Sequence, residues 1–199
     1  MNKWFLAVFS TFLLAAPVFA IDVSEVDNLD PYYQKDGLEI SSYQKVLIAP
    51  LGADRTFVLA PPWVEGDAAN PKKWGLTASD IKWLRKSYQE AMRAEIGQQF
   101  EIVDEPGEGV LIVSIELVSL MPFARKDEKV ETQGFGVIVA QAELRDGQNG
   151  ELLAVYEGPQ RVGSEYQQNT RLNGEKSLMQ LFEIWGARVR MYMESHGTE

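Results

Sequence analysis

The apolar positions of this chain change period several times, and each change marks an element. Over residues 79–98, Ile81, Leu84, Tyr88, Met92 and Ile96 recur at steps of three and four, the spacing of one helical face. Thr77 with Asp80 three residues on has the form of a capping box at its start. A second stripe of Leu178, Leu181, Phe182, Trp185, Val189 and Met193 predicts a helix over residues 175–195. Between the helices the period falls to two. In residues 110–121, Leu111, Val113, Ile115 and Leu117 share a face, and Pro122 closes the run because proline cannot donate to a ladder. Residues 135–146 and 151–158 alternate on either side of Asp146-Gly147 and Asn149-Gly150, a hairpin signal. Shorter apolar runs at 45–51 and 100–104 read as buried strands.

The order β-α-β-β-β-β-α predicts an α+β fold: a single antiparallel or mixed sheet of about five strands, with two amphipathic helices packed on one face. Each helix has one apolar stripe and needs a sheet face to bury it. A doubly wound parallel sheet fits less well, since no crossover helices separate the four later strands. The domain is expected over residues 43–195. An irregular N-terminal arm, residues 21–42, precedes it with the turn signals "DPYY" and "KDG".

Residues 1–20 read as a cleaved signal peptide. Lys3 supplies the basic start, an apolar stretch follows, and Val18-Phe19-Ala20 offers a small-x-small cleavage site. The apolar stretch is shorter than the roughly 20 residues of a spanning helix. The expected location is periplasmic or secreted, with no stable membrane anchor once the leader is cut; a retained leader acting as anchor is the competing reading. The 199 residues carry a formal net charge of −10, which argues against nucleic acid and anionic lipid as partners. There is no cysteine, so disulfides, thiol nucleophiles and thiolate metal sites are all excluded.

Gly107 and Gly109 in "DEPGEG" raise the possibility of a phosphate loop. Such a loop needs a helix N-terminus after its glycines, whereas these lead into a strand, and Asp104, Glu105 and Glu108 repel phosphate. The stretch is expected to be a turn.

Three stretches in order, "YQKVLIAPL", "AEIGQQFEIVDEPGEGVLIVSIEL" and "LFEIWGARVRMYM", resemble the bacterial domain-of-unknown-function family 3313, predicted envelope lipoproteins. The likeness covers most of residues 43–193. Many members resemble lipoproteins with a lipid-accepting cysteine, which this chain lacks. The resemblance implies an envelope setting and no known catalytic residue.

Candidate chemistry is sparse. The lone histidine, His196, lies at the C-terminus, where a triad or metal site is not expected. Ser-x-x-Lys occurs at Ser42 with Lys45 and at Ser79 with Lys82, but the companion elements of serine–lysine acyl transferases are missing. Glu116 and Glu143 interrupt apolar strands and are the acids to consider for glycoside hydrolysis, although alternation places them on a polar sheet face. No cofactor motif or metal-loop spacing is present. The remaining feature is the long segment after the first strand, with Phe57, Trp63 and Trp74, stiffened by Pro61-Pro62. Aromatics there could anchor a protein partner or stack on a cell-wall glycan, or fold back into the core edge. The expected function is a non-enzymatic binding module of the envelope. The alternatives are a carboxylate-dependent hydrolase of envelope glycans and a carrier of an apolar small molecule.

Overall fold

The computed structural model describes residues 30–126 and 128–195. The expected leader, residues 21–29 of the expected arm, and His196 lie outside the described residues. The elements are β1 (Asp30–Gln34), β2 (Lys45–Ile48), β3 (Phe57–Val58), α1 (Ala78–Ile96), β4 (Glu101–Val103) and β5 (Val110–Pro122), then β6 (Glu131–Gln133), β7 (Gly136–Asp146), β8 (Leu152–Val162), β9 (Tyr166–Gln168) and α2 (Arg171–Ser195).

The fold is α+β, and the sheet is mixed. Its order is β1-β8-β7-β5-β2-β4, with β3 pairing to the far end of β5, so it has seven strands rather than about five. A separate two-stranded ribbon, β6 with β9, lies in two segments whose sequence shows no strand period. The extra strands are short. Two or three residues cannot display a period, and only their partners make them strands. Asp30–Gln34 is likewise an edge strand, antiparallel to β8, although "DPYY" had the look of a turn.

The sheet is antiparallel on one side, where β5, β7, β8 and β1 pair in turn. On the other side, β2 lies between β4 and β5 and runs parallel to both. Helix α1 is the crossover from β2 to β4 that a parallel neighbour requires. The glycine-bearing stretch between β4 and β5 therefore passes round β2 instead of folding two neighbours together. Gly109 takes φ +69°, a left-handed value that glycine reaches without a Cβ clash, and its carbonyl accepts from Lys45 N at 3.3 Å. No helix follows these glycines, and Asp104 is tied to Arg93 at 2.5 Å.

Helix α1 begins where the sequence placed its cap. The Asp80 amide donates to Thr77 Oγ1 at 3.3 Å, and the Thr77 amide donates to Asp80 Oδ2 at 2.7 Å. Burial pushes the Asp80 carboxyl up, but hydrogen bonds from Lys126 and Thr77 outweigh it and hold the group below the usual range. Helix α2 starts at Arg171, a turn earlier than expected. The apolar stripes of both helices meet the inner sheet face, with Tyr88, Met92, Leu111, Leu117, Ile138 and Phe182 among the fully buried side chains. Phe182 packs edge-on to Tyr88, with ring centroids 5.8 Å apart. The helices touch closely at Gly186, where a Cβ would come within 2.7 Å of Glu95 Cβ.

Candidate functional site

The long segment after β2 is held against β5 by backbone contacts. Gly52 N donates to the Ile115 carbonyl at 2.9 Å, and Leu117 N donates to the Gly52 carbonyl at 2.8 Å. A Cβ on Gly52 would lie 3.1 Å from Glu116 Cγ, so the strand approaches closely because no side chain intervenes. Val118 is then left over as a bulge in β5, between Leu117 and Ser119. Beyond the bulge, β3 pairs parallel to β5, with Phe57 beside Ser119 and Val58 beside Leu120.

This placement divides the aromatic residues singled out above. Phe57 is 71% exposed and Trp63 62%, and Leu59 between them is 48% exposed. The Trp63 ring lies 5.9 Å from that of Phe123, tilted by 48°. Trp74 is a correction to the expected trio: it is only 6% exposed, and its indole N–H donates to the Ala68 carbonyl at 2.8 Å. Its ring fills space under the two 3-10 turns, Gly66–Ala69 and Pro71–Lys73, and is not available to a partner.

Phe57 points to the face of the sheet away from the helices. Ser119, its neighbour, pairs with Val139, which alternates with the buried Ile138 and Ala140. Val139 pairs with Pro159, and one row further on Met121 pairs with Val137 and Val137 with Arg161. This end of the outer face is thus apolar. The other end is laced with polar pairs. Glu116 meets Arg55 at 3.0 Å, Glu143 meets Arg145 at 2.9 Å, and the Gln141 amide donates to Glu157 at 2.8 Å.

The candidate acids are therefore placed on an open surface. Glu116 stands opposite Gln141 and Glu143 opposite Ser114, on neighbouring strands, each engaged by its own arginine. The serine hydroxyls of both serine–lysine pairs already have other partners. The Ser42 hydroxyl donates to the Glu39 carbonyl at 2.8 Å, and Ser79 shares a 2.8 Å hydrogen bond with Thr77. Among the described residues no group of three acidic or histidine side chains is arranged to hold a metal. No described helix is long and apolar enough to cross a membrane. A shallow concavity of about 210 Å³ lies between the β1 end and the β7–β8 hairpin, lined by Lys35, Glu39, Tyr43, Asp146 and Glu151. Four of these side chains already pair, Lys35 with Glu151 and the Tyr43 hydroxyl with Asp146, both at 2.8 Å.

The family described as Protein of unknown function (DUF3313) matches residues 22–189. The chain belongs to DUF3313. No curated protein matches it significantly. Among solved structures, protein XCC0632 from Xanthomonas campestris superposes at a TM-score of 0.44 with 10% identity, covering 85% of this chain and 94% of that one. The PelC dodecamer from Paraburkholderia phytofirmans gives 0.38 at 10% identity, over 79% and 98%. An uncharacterized protein gives 0.43 at 11%, over 81% and 96%.

The exposed Leu59 and the half-buried Met121, Val137 and Val139 lie at the apolar end of the outer face and escaped the sequence reading. A signal for them is present. Residues 136–140, "GVIVA", are apolar at inner and outer positions alike, whereas a sheet with one wet face alternates cleanly.

Proposed function

We propose that this DUF3313 protein is an exported envelope protein acting as a non-enzymatic binding module, and that the apolar end of its outer sheet face takes a protein partner. The observation that carries the reading is the joint exposure of Phe57, Leu59 and Trp63 along and just after β3. Large apolar side chains held out on rigid backbone lose little entropy on binding and are the usual anchors of interfaces. The apolar leader at residues 1–20 supports export, and the acidic balance supports a neutral or basic partner.

The experiment is photo-crosslinking in cells with a photoreactive residue at position 63, followed by mass determination of the adducts. The expected result is one dominant protein adduct that disappears in Phe57→Ser. Cross-links to glycan alone would replace the protein partner with a cell-wall ligand. An adduct unchanged by Phe57→Ser would remove this face as the site.

A further inference from the structure

We infer that the β1-side edge of β8, over residues 158–162, is the docking site of the chain's own residues 25–29, which bring the Asp27 carboxylate beside Arg188. The inference goes beyond the binding reading above and does not depend on it.

Strand β1 runs antiparallel to β8, and Asp30, where the described chain begins, pairs with Glu157. Strand β8 continues to Val162, and among the described residues no strand lies along that stretch on the β1 side. Strand β1 is thus entered from the Val162 end, alongside residues 158–162. The backbone of β8 is oriented to receive a strand there. The Leu153 carbonyl accepts from Lys35 N at 2.8 Å on the β1 side, and the Val162 carbonyl accepts from Phe135 N at 2.7 Å on the β7 side. Backbone groups alternate along a strand, so the Pro159 carbonyl and both polar groups of the Arg161 backbone point to the β1 side. Pro159 has no N–H to offer, so it costs this edge one bond and leaves the ladder to β7 intact.

The register of β1 names the contacts. Continued without a bulge, it sets Leu29 opposite Gly158, Asp27 opposite Gln160 and Val26 opposite Arg161. Residues directly opposite share a face of the sheet. Gln160 is 0% exposed and faces the helices, where its Oε1 accepts from Arg188 Nη1 at 3.2 Å. Asp27 therefore lands in the inner layer next to a guanidinium, where a carboxylate gains a charge-assisted partner. Leu29 lands in the same layer, where Gly158 has no side chain. Val26 and Asn28 fall on the outer face, with the exposed Arg161 and Pro159. A slip of one residue would reverse this, turning Asn28 inward and Asp27 and Leu29 to solvent. The DUF3313 match begins at residue 22, so these residues lie within the family's domain. Val162 pairs with Gly136, and Gly136 with Pro122, so the docked segment leads back to the expected leader from the end of the sheet that carries Phe57.

The test uses the protein as recovered from cells expressing the full chain, which has no cysteine of its own. The double variant Val26→Cys/Arg161→Cys, an in-register pair on one face, is expected to close an intramolecular disulfide, read as loss of free thiol. Val23→Cys/Arg161→Cys, in which position 23 falls past the end of β8, should close roughly tenfold more slowly. Separately, Asp27→Asn should lower the urea midpoint of the parent and leave that of Arg188→Met unchanged, because the coupling between the two side chains is already lost there. Equal closure rates for the two cysteine pairs overturn the docking. An Asp27→Asn shift that is the same in both backgrounds, or absent from the parent, overturns the contact with Arg188. Should Arg188→Met fail to fold, the two closure rates decide the docking by themselves.

Discussion

The Tyr43 hydroxyl donates to the Asp146 carboxylate at 2.8 Å, joining the start of β2 to the end of β7 across 103 residues of chain. Tyr43 is 7% exposed, and burial and then Asp146 push its phenol far above the ordinary range. In return the hydroxyl, followed by the Asn149 amide, holds the Asp146 carboxyl low. A lowered acid pKa means that the folded state binds fewer protons than the unfolded one. The contribution is therefore complete above the unfolded value near ~4 and fades as pH falls through the folded value. Tyr43→Phe should lower stability by about 1 kcal/mol at pH 7, with the gap to the parent closing below pH ~4. Urea unfolding at a series of pH values measures this, and an equal gap at pH 3 and 7 would refute it.

The split between Trp63 and Trp74 has an opposite pair of consequences. Trp63→Ala removes an exposed ring and should leave stability within about 0.5 kcal/mol of the parent. Trp74→Ala empties a buried site and leaves the Ala68 carbonyl without its donor, at a cost of about 3 kcal/mol. Thermal unfolding of the two variants side by side distinguishes them.

Gly186 sets how near α2 can come to α1. Alanine there gains about 1 kcal/mol of helix propensity. The added methyl must nevertheless displace Glu95 Cβ and the Met92 backbone, at 2.7 and 3.3 Å, and pushing packed helices apart costs roughly 1–3 kcal/mol. Gly186→Ala is expected to be destabilising on balance, with a lower urea midpoint. A higher midpoint would mean that the helices separate freely.

Glu183 on α2 is held above the ordinary glutamate range by burial, and further by Glu95 on α1. Arg190 lies 3.6 Å from Glu95 and takes up that partner's charge. A raised acid pKa makes the folded state hold its proton longer than the unfolded one, so stability falls as pH rises from the unfolded value through the folded one. Glu183→Gln should raise the unfolding midpoint at pH 7 and leave it unchanged at pH 3. Scanning calorimetry at the two pH values decides the matter.

What the sequence by itself determined are the elements whose pattern is complete within their own length. Helices α1 and α2 and the long strand β5 each repeat an apolar period over several turns or pairs, the capping box at Thr77 is complete within four residues, and β7 and β8 are marked by the turn between them. That is a local property of side-chain spacing, and it survives without knowledge of the neighbours. The α+β class follows from their order. Only the tertiary structure decided the rest. Strand β3 has two residues and no period, and it exists because Gly52 lets the chain close on β5 and a bulge resets the register. Trp63 and Trp74 stand in one polar, proline-rich segment with similar local surroundings. One is solvent-facing and the other buried because the 3-10 turns fold the Ala68 carbonyl onto one indole, and Phe123, brought from the far end of β5, lies beside the other. Burial is a sum over contacts from distant parts of the chain, and a window of sequence contains only one side of each.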